Sequence, residues 1–215
     1  LTAGGHFAAF HARELLLDHP AFDSIVHGEG EEAMVDLAEH LDDLVSVSGI
    51  SVRKRAGGVY FTGPRHNRPD LDSRPWPTRP ESFHAYLGKP IANLLAGRGC
   101  YANCHFCSIN AWHRTNGGKR FRMRAPECVA REMAHLYHDR GVRIFNFQDD
   151  NFFLPTRRGN LERLTALRDA LRDLDVGRVA IQAKARPDSI DEDVVALLVE
   201  MGLFRIFLGV ETDVV

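Results

Sequence analysis

Residues 91–107 read Ile91-Ala-Asn-Leu-Leu-Ala-Gly-Arg-Gly-Cys100-Tyr-Ala-Asn-Cys104-His-Phe-Cys107. An apolar, strand-like run at 91–96 leads straight into a loop with three cysteines. Three thiolates this close on one loop can reach a common inorganic centre. Four-iron clusters normally take four cysteines, so three leave one iron without a protein ligand. An open metal position marks a reactive site rather than a structural one. A structural zinc site is the alternative. It usually pairs two cysteines with a second, distant Cys or His pair, and no such pair is evident.

Outward from this loop toward the C-terminus, strand and helix patterns alternate. A helix is expected over 126–139, opened by Pro126 at a position that suits a helix start. Strands follow at 142–148, 179–186 and 204–211. Between them lie a helix with Leu161, Leu164, Leu167, Leu171 and Leu174 on one face and another at 191–201. Four βα-type repeats at parallel-sheet spacing predict the first half of a (β/α) barrel of the TIM type. In such barrels, reactive groups collect at the carboxyl ends of the strands. The cysteine loop follows the first strand, at that end.

The strand at 179–186 alternates strictly. Val179, Ile181, Ala183 and Ala185 share one face; Gln182, Lys184 and Arg186 share the other. The apolar set should meet the outer helices, so the polar set should face the lumen and a ligand there, because buried charge without a partner is costly. An edge strand with one solvated face is the other reading. The next strand repeats the pattern, with Arg205, Phe207, Gly209 and Glu211 opposite Phe204, Ile206, Leu208 and Val210. The second strand ends in Gln148-Asp149-Asp150-Asn151-Phe-Phe153. This acidic turn either accepts hydrogen bonds from an ammonium or hydroxyl group or caps the segment that follows. The basic run at 119–124 reads as a solvated loop or an anion contact, and Cys128 as a small buried thiol.

Toward the N-terminus, residues 1–45 give turn, helix, strand, turn and helix, the closing part of a doubly wound α/β domain. Its ligand side should hold Gly4-Gly5 and Gly28-Glu29-Gly30, at the carboxyl ends of strands. Residues 46–90 read as a hairpin around 56–58 followed by a proline-rich connector. The start has no initiator Met and reads as a chain beginning in mid-domain, and the C-terminus falls just after the fourth barrel strand.

The bulk numbers exclude several classes. The 215 residues carry 44% hydrophobic and 26% charged residues and a net charge of -2, so electrostatics argue for neither nucleic acid nor an anionic membrane as partner. No apolar run approaches the ~20 residues that span a bilayer. Four cysteines, three of them clustered, suit a reducing cytoplasm rather than a disulfide framework.

Cys100-x-x-x-Cys104-x-x-Cys107, with Phe106 before the last cysteine, resembles the signature of radical S-adenosylmethionine (SAM) enzymes, over residues 91–215. The resemblance implies a [4Fe–4S] cluster on the three thiolates, with S-adenosylmethionine chelating the fourth iron. It further implies reductive cleavage to a 5′-deoxyadenosyl radical that abstracts hydrogen from a small-molecule substrate, under anaerobic conditions, with a flavodoxin or ferredoxin as electron donor. Phe106, Gln182, Lys184, Arg186 and Glu211 then stand where similar proteins touch the cosubstrate. Asp149, Asp150 and Asn151 replace a Gly-Gly-Glu segment that many members use for its amino group. Asp23-x-x-Val26-His-Gly-Glu-Gly-Glu31, Gly4-Gly5-His6 and the connector at 70–77 are similar to the subgroup with an upstream cobalamin-binding domain. For that subgroup the resemblance implies cobalamin near Gly4, Gly5, Gly28, Glu29 and Gly30, and methyl transfer to carbon or phosphorus. An oxidative cyclisation or ring rearrangement is the alternative within the same chemistry. A non-catalytic iron–sulfur electron-transfer module is the alternative outside it.

Overall fold

The computed structural model describes residues 1–54, 56–115 and 117–211. By internal contacts the chain divides into two units: residues 1–69 with 102–120, and residues 70–101 with 121–215.

The first unit opens with β1 (Thr2–Ala3), α1 (Gly5–Phe10), α2 (Ala12–Asp18), β2 (Ser24–Val26) and α3 (Gly30–Glu39), and continues with β3 (Ile50–Arg53) and β4 (Val59–Phe61). The sheet order is β1-β2-β3-β4; β1 and β2 are parallel, and the other pairs antiparallel. The hairpin expected as part of a separate connector at 46–90 therefore extends the sheet of the N-terminal domain. The reason is burial: Ile50 and Val52 pack with Val26, Ala33 and Leu37 in one core cluster. On α3, Ala33 and Leu37 take that core, whereas Met34 and Val35 are exposed. A short helix after the cysteine loop, α4 (Ser108–Arg114), also belongs to this unit.

The second unit holds β5 (Ala85–Tyr86), β6 (Lys89–Leu94), β7 (Gly97–Arg98), β8 (Arg122–Met123), α5 (Pro126–Arg140), β9 (Ile144–Phe147), α6 (Arg157–Asp173), β10 (Ala180–Ala185), α7 (Glu192–Glu200) and β11 (Leu203–Leu208). Its main sheet runs β11-β10-β9-β6-β5. The four strands β6, β9, β10 and β11 are parallel and neighbour one another in chain order. That order, with a helix before each of the last three, is the strand–helix alternation from which (β/α) barrels are built.

Local signals explain the boundaries. Pro126 occupies the first turn of α5, where its missing N–H costs nothing, and Gly141 ends that helix in the left-handed region. Thr156 caps α6 by accepting from the Gly159 N–H at 3.2 Å. Ile181, Ala183 and Ala185 on β10 join Leu164, Leu167 and Leu171 of α6 and Val194 and Leu198 of α7 in a single core. The proline-rich strap is fastened to this unit: Arg140 donates to the Pro80 and Glu81 carbonyls, and Arg79 to that of Asn93. No described helix is long and apolar enough to cross a membrane.

Candidate active site

The backbone between the two units crosses inside the cysteine loop, after Tyr101, so its halves are taken in turn. In the barrel unit, β6 pairs with β9 up to Leu94 opposite Phe147. The chain then bends into β7, which pairs with β8 instead. Gly97 lets β7 lie close against β8: a Cβ there would meet Met123 Sδ at 2.4 Å and the Arg122 carbonyl at 2.8 Å. Gly99 is buried and has φ +79°, a backbone that favours glycine. Cys100 follows, half-buried. Tyr101 shares a 2.8 Å hydroxyl hydrogen bond with Ser189, just past β10. The Arg186 guanidinium lies over the Tyr101 ring at 6.0 Å and is itself held by Asp188, whose carboxyl it keeps below the usual range. The Cys100 backbone is thereby tied toward the carboxyl end of β10.

In the other unit, Cys104 and Cys107 are half-buried and joined by a tight turn, the Cys107 N–H donating to the Cys104 carbonyl at 3.2 Å. Phe106 between them is 71% exposed, so its ring is available to a ligand rather than spent in a core. None of the four cysteines is in a disulfide. Among the described residues no three His, Cys, Asp or Glu converge as the ligands of one metal ion would. A four-iron cluster takes each thiolate on a separate iron, so its ligands stand farther apart than those of one ion. The donor set, three thiols with no carboxylate among them, fits such a cluster. Cys128 is accounted for elsewhere: Arg131 donates to its Sγ at 2.8 Å, and burial pushes its thiol up.

The face of the barrel sheet away from its helices carries a polar row. Asn93, Asn146, Gln182 and Arg205 are register partners across four strands. Asn146 donates to Asn93 at 2.9 Å, and Gln182 to Asn146 at 2.6 Å. One step further along, Lys184 donates to Gln148 at 3.0 Å. The polar side chains of β10 thus share one face with these amides, opposite its apolar set, as its alternation predicts. Asn93 and Asn146 were missed in the sequence, although each stands between two buried apolar neighbours, the same alternation that exposed Gln182.

The acidic turn after β9 divides. Asp149 and Asn151 are each 1% exposed. Asn151 exchanges hydrogen bonds with the backbone of Phe153, a local turn that leaves it buried. Asp149 accepts from the Ala96 N–H at 3.1 Å, and exposed Asp150 from the Gly99 N–H at 3.1 Å. Burial raises the Asp149 carboxyl to about 6, against the pull of the Ala96 amide and of buried Arg163, whose own value falls to about 10. Holding this carboxylate ionised in the core costs about 3 kcal/mol at neutral pH. Phe147, Phe152 and Phe153, in the core of the same unit, are 0% exposed and contribute roughly 1.5–3 kcal/mol each, enough to offset that cost. Because the folded value lies above the unfolded one, the cost is full above pH 6 and vanishes as the pH falls toward 4. Relative to Asp149→Asn, the parent chain should gain about 2 kcal/mol of unfolding stability between pH 7 and 4.5. Denaturant titrations at both pH values check this, and a relative loss on acidification would contradict it.

Glu211 is exposed just beyond β11. In the first unit, Gly4-Gly5 follows β1 and Gly28-Glu29-Gly30 follows β2, at the carboxyl ends of two parallel strands. A side chain built at Gly5 or Gly30 meets nothing within 4 Å, so the space beside these two turns is open. A cleft of about 690 Å³ lined by Arg168, Arg178 and Gly202 lies at the amino ends of β10 and β11, the end barrels do not use for chemistry.

A parallel (β/α) sheet with a three-cysteine loop at the carboxyl end of its first parallel strand defines a class of cluster-binding α/β proteins. The radical SAM superfamily profile matches residues 94–213, more than half of the chain, and the chain belongs to that superfamily. It is 28% identical to an uncharacterized methyltransferase of Pyrococcus horikoshii, across 99% of this chain and 45% of the relative. It is 30% identical to the anaerobic magnesium-protoporphyrin IX monomethyl ester cyclase of a Synechocystis species, across 98% of this chain and 42% of the relative. The chain thus spans less than half the length of these curated relatives. Its fold matches the radical S-adenosylmethionine methyltransferase TsrM from Kitasatospora setae with a TM-score of 0.71 at 19% identity, over 98% of this chain and 41% of that one. TsrM has also been solved with cobalamin and a [4Fe–4S] cluster bound.

Proposed function

We propose that this chain carries the cluster-binding core of a cobalamin-dependent radical SAM methyltransferase. The observation that carries the reading is the cysteine loop leaving the carboxyl end of β6 beside a row of hydrogen-bonded amides. Cys100, Cys104 and Cys107 hold a [4Fe–4S] cluster. Gln182, Lys184, Arg186 and Glu211 offer donors and acceptors to the cosubstrate, and exposed Phe106 a ring for stacking. The turns at Gly4-Gly5 and Gly28-Glu29-Gly30 hold the corrin. Once loaded, the cluster supplies the electron that cleaves S-adenosylmethionine to a 5′-deoxyadenosyl radical. An electron donor of the flavodoxin or ferredoxin kind completes the system. A bare electron-transfer module would have no use for the polar row.

Oxidative cyclisation is the second reading, favoured by the 30% identity to a cyclase. Anaerobic reconstitution, reduction and incubation with methyl-labelled S-adenosylmethionine and cobalamin separate the two. Label passing to an acceptor supports methyl transfer, and 5′-deoxyadenosine without label transfer supports cyclisation. Neither product from a reduced, loaded chain contradicts both.

A further inference from the structure

Where the β6–β9 ladder ends, two amides ahead of Cys100 lose their backbone partner. The last ladder bond runs from the Gln148 N–H to the Leu94 carbonyl at 2.8 Å. Beyond it β7 turns away to β8, so the backbone of β9 no longer reaches this segment. The side chains of the next two residues take its place: Asp149 accepts from Ala96 and Asp150 from Gly99, both at 3.1 Å. Consecutive residues of an extended chain point to opposite sides, and these do: Asp149 is buried and Asp150 exposed. One segment is therefore gripped from within and from without. On the far side of Cys100, Tyr101 is tied to Ser189.

We infer that Asp149 and Asp150 are positioning residues that clamp the backbone entering the cysteine loop and set where the Cys100 thiol stands. The grip is a property of the chain itself; its consequence for the cluster rests on the proposed function. Charge-assisted bonds to backbone N–H groups are the stronger kind, and a ligand loop held at both ends retains its metal better than a slack one. The two acids thus act on the cluster through Cys100.

Asp150 carries the test, because an exposed substitution leaves the fold intact. In the metal-free full chain, Asp150→Ala should speed hydrogen exchange at the Gly99 amide about tenfold or more. Asp150→Asn, which keeps an acceptor oxygen, should restore most of the protection. In the reconstituted protein, a chelator should strip iron from Asp150→Ala about tenfold faster than from the parent, with Asp150→Asn between the two. Unchanged exchange at Gly99 overturns the clamp. Normal iron retention with loss of the spectral response to S-adenosylmethionine also overturns it, and makes Asp150 a cosubstrate contact. If the parent chain takes up no cluster, the functional reading fails while the exchange data still judge the clamp.

Discussion

Alanine at Cys100, Cys104 or Cys107, one at a time, is expected to abolish 5′-deoxyadenosine formation and to leave a chain that retains iron poorly. Loss of a supporting residue around a metal site costs about 10–100-fold in affinity or activity. Loss of a ligand from a set of three should exceed that range, because no fourth thiolate stands in reserve on the loop. Cys128 is engaged by Arg131 on α5, so Cys128→Ala should leave iron content within the scatter of the parent. Iron and sulfide assays after anaerobic reconstitution, paired with turnover, decide the matter. Equal iron loss in all four variants would mean that the loop has no special claim on the metal.

The second large effect concerns stability. Glu132 on α5 is 2% exposed, and both of its oxygens are taken, by Arg79 at 2.7 Å and by Arg124 at 2.6 Å. Arg124 also donates to the Leu95 carbonyl, and Arg79 to that of Asn93. One carboxylate therefore joins the strap, the strand that carries the cysteine loop and the first barrel helix. Replacing this buried carboxylate takes a charged partner from two half-buried guanidinium groups, and breaking a buried pair by removing one partner costs about 3–5 kcal/mol. Glu132→Ala should lower unfolding stability by that amount in urea titration, and Glu132→Gln, which keeps one acceptor, by about half. A loss below about 1 kcal/mol would place this network with ordinary surface pairs.

Much of the barrel was legible because period and punctuation agree. On β10 the strict alternation assigned Ile181, Ala183 and Ala185 to the helices and Gln182 and Lys184 to the other face, and the contacts follow that division. On α5, Pro126 marks the start with a residue whose backbone suits a first helical turn. The Glu132 network was not legible. Arg124 lies in a basic run that resembles a solvated loop, and Arg79 sits 53 residues from its partner; nothing local announces either contact. The same holds for Tyr101 and Ser189, 88 residues apart. The hairpin at 50–61 was recognisable as a hairpin, but its attachment to β2 depends on which apolar face meets Ala33 and Leu37, a choice made only in three dimensions. The acidic turn shows the limit most plainly. Two adjacent carboxylates at a strand end look alike in sequence, yet one is 1% exposed and the other faces water.

The account stands on one iron left open by three cysteines. Electron paramagnetic resonance of the reduced, anaerobically reconstituted chain, recorded with and without S-adenosylmethionine, addresses that claim directly. A four-iron signal that changes shape when the sulfonium compound is added is the predicted result. A signal indifferent to it, or a chain that holds only zinc, would contradict the account.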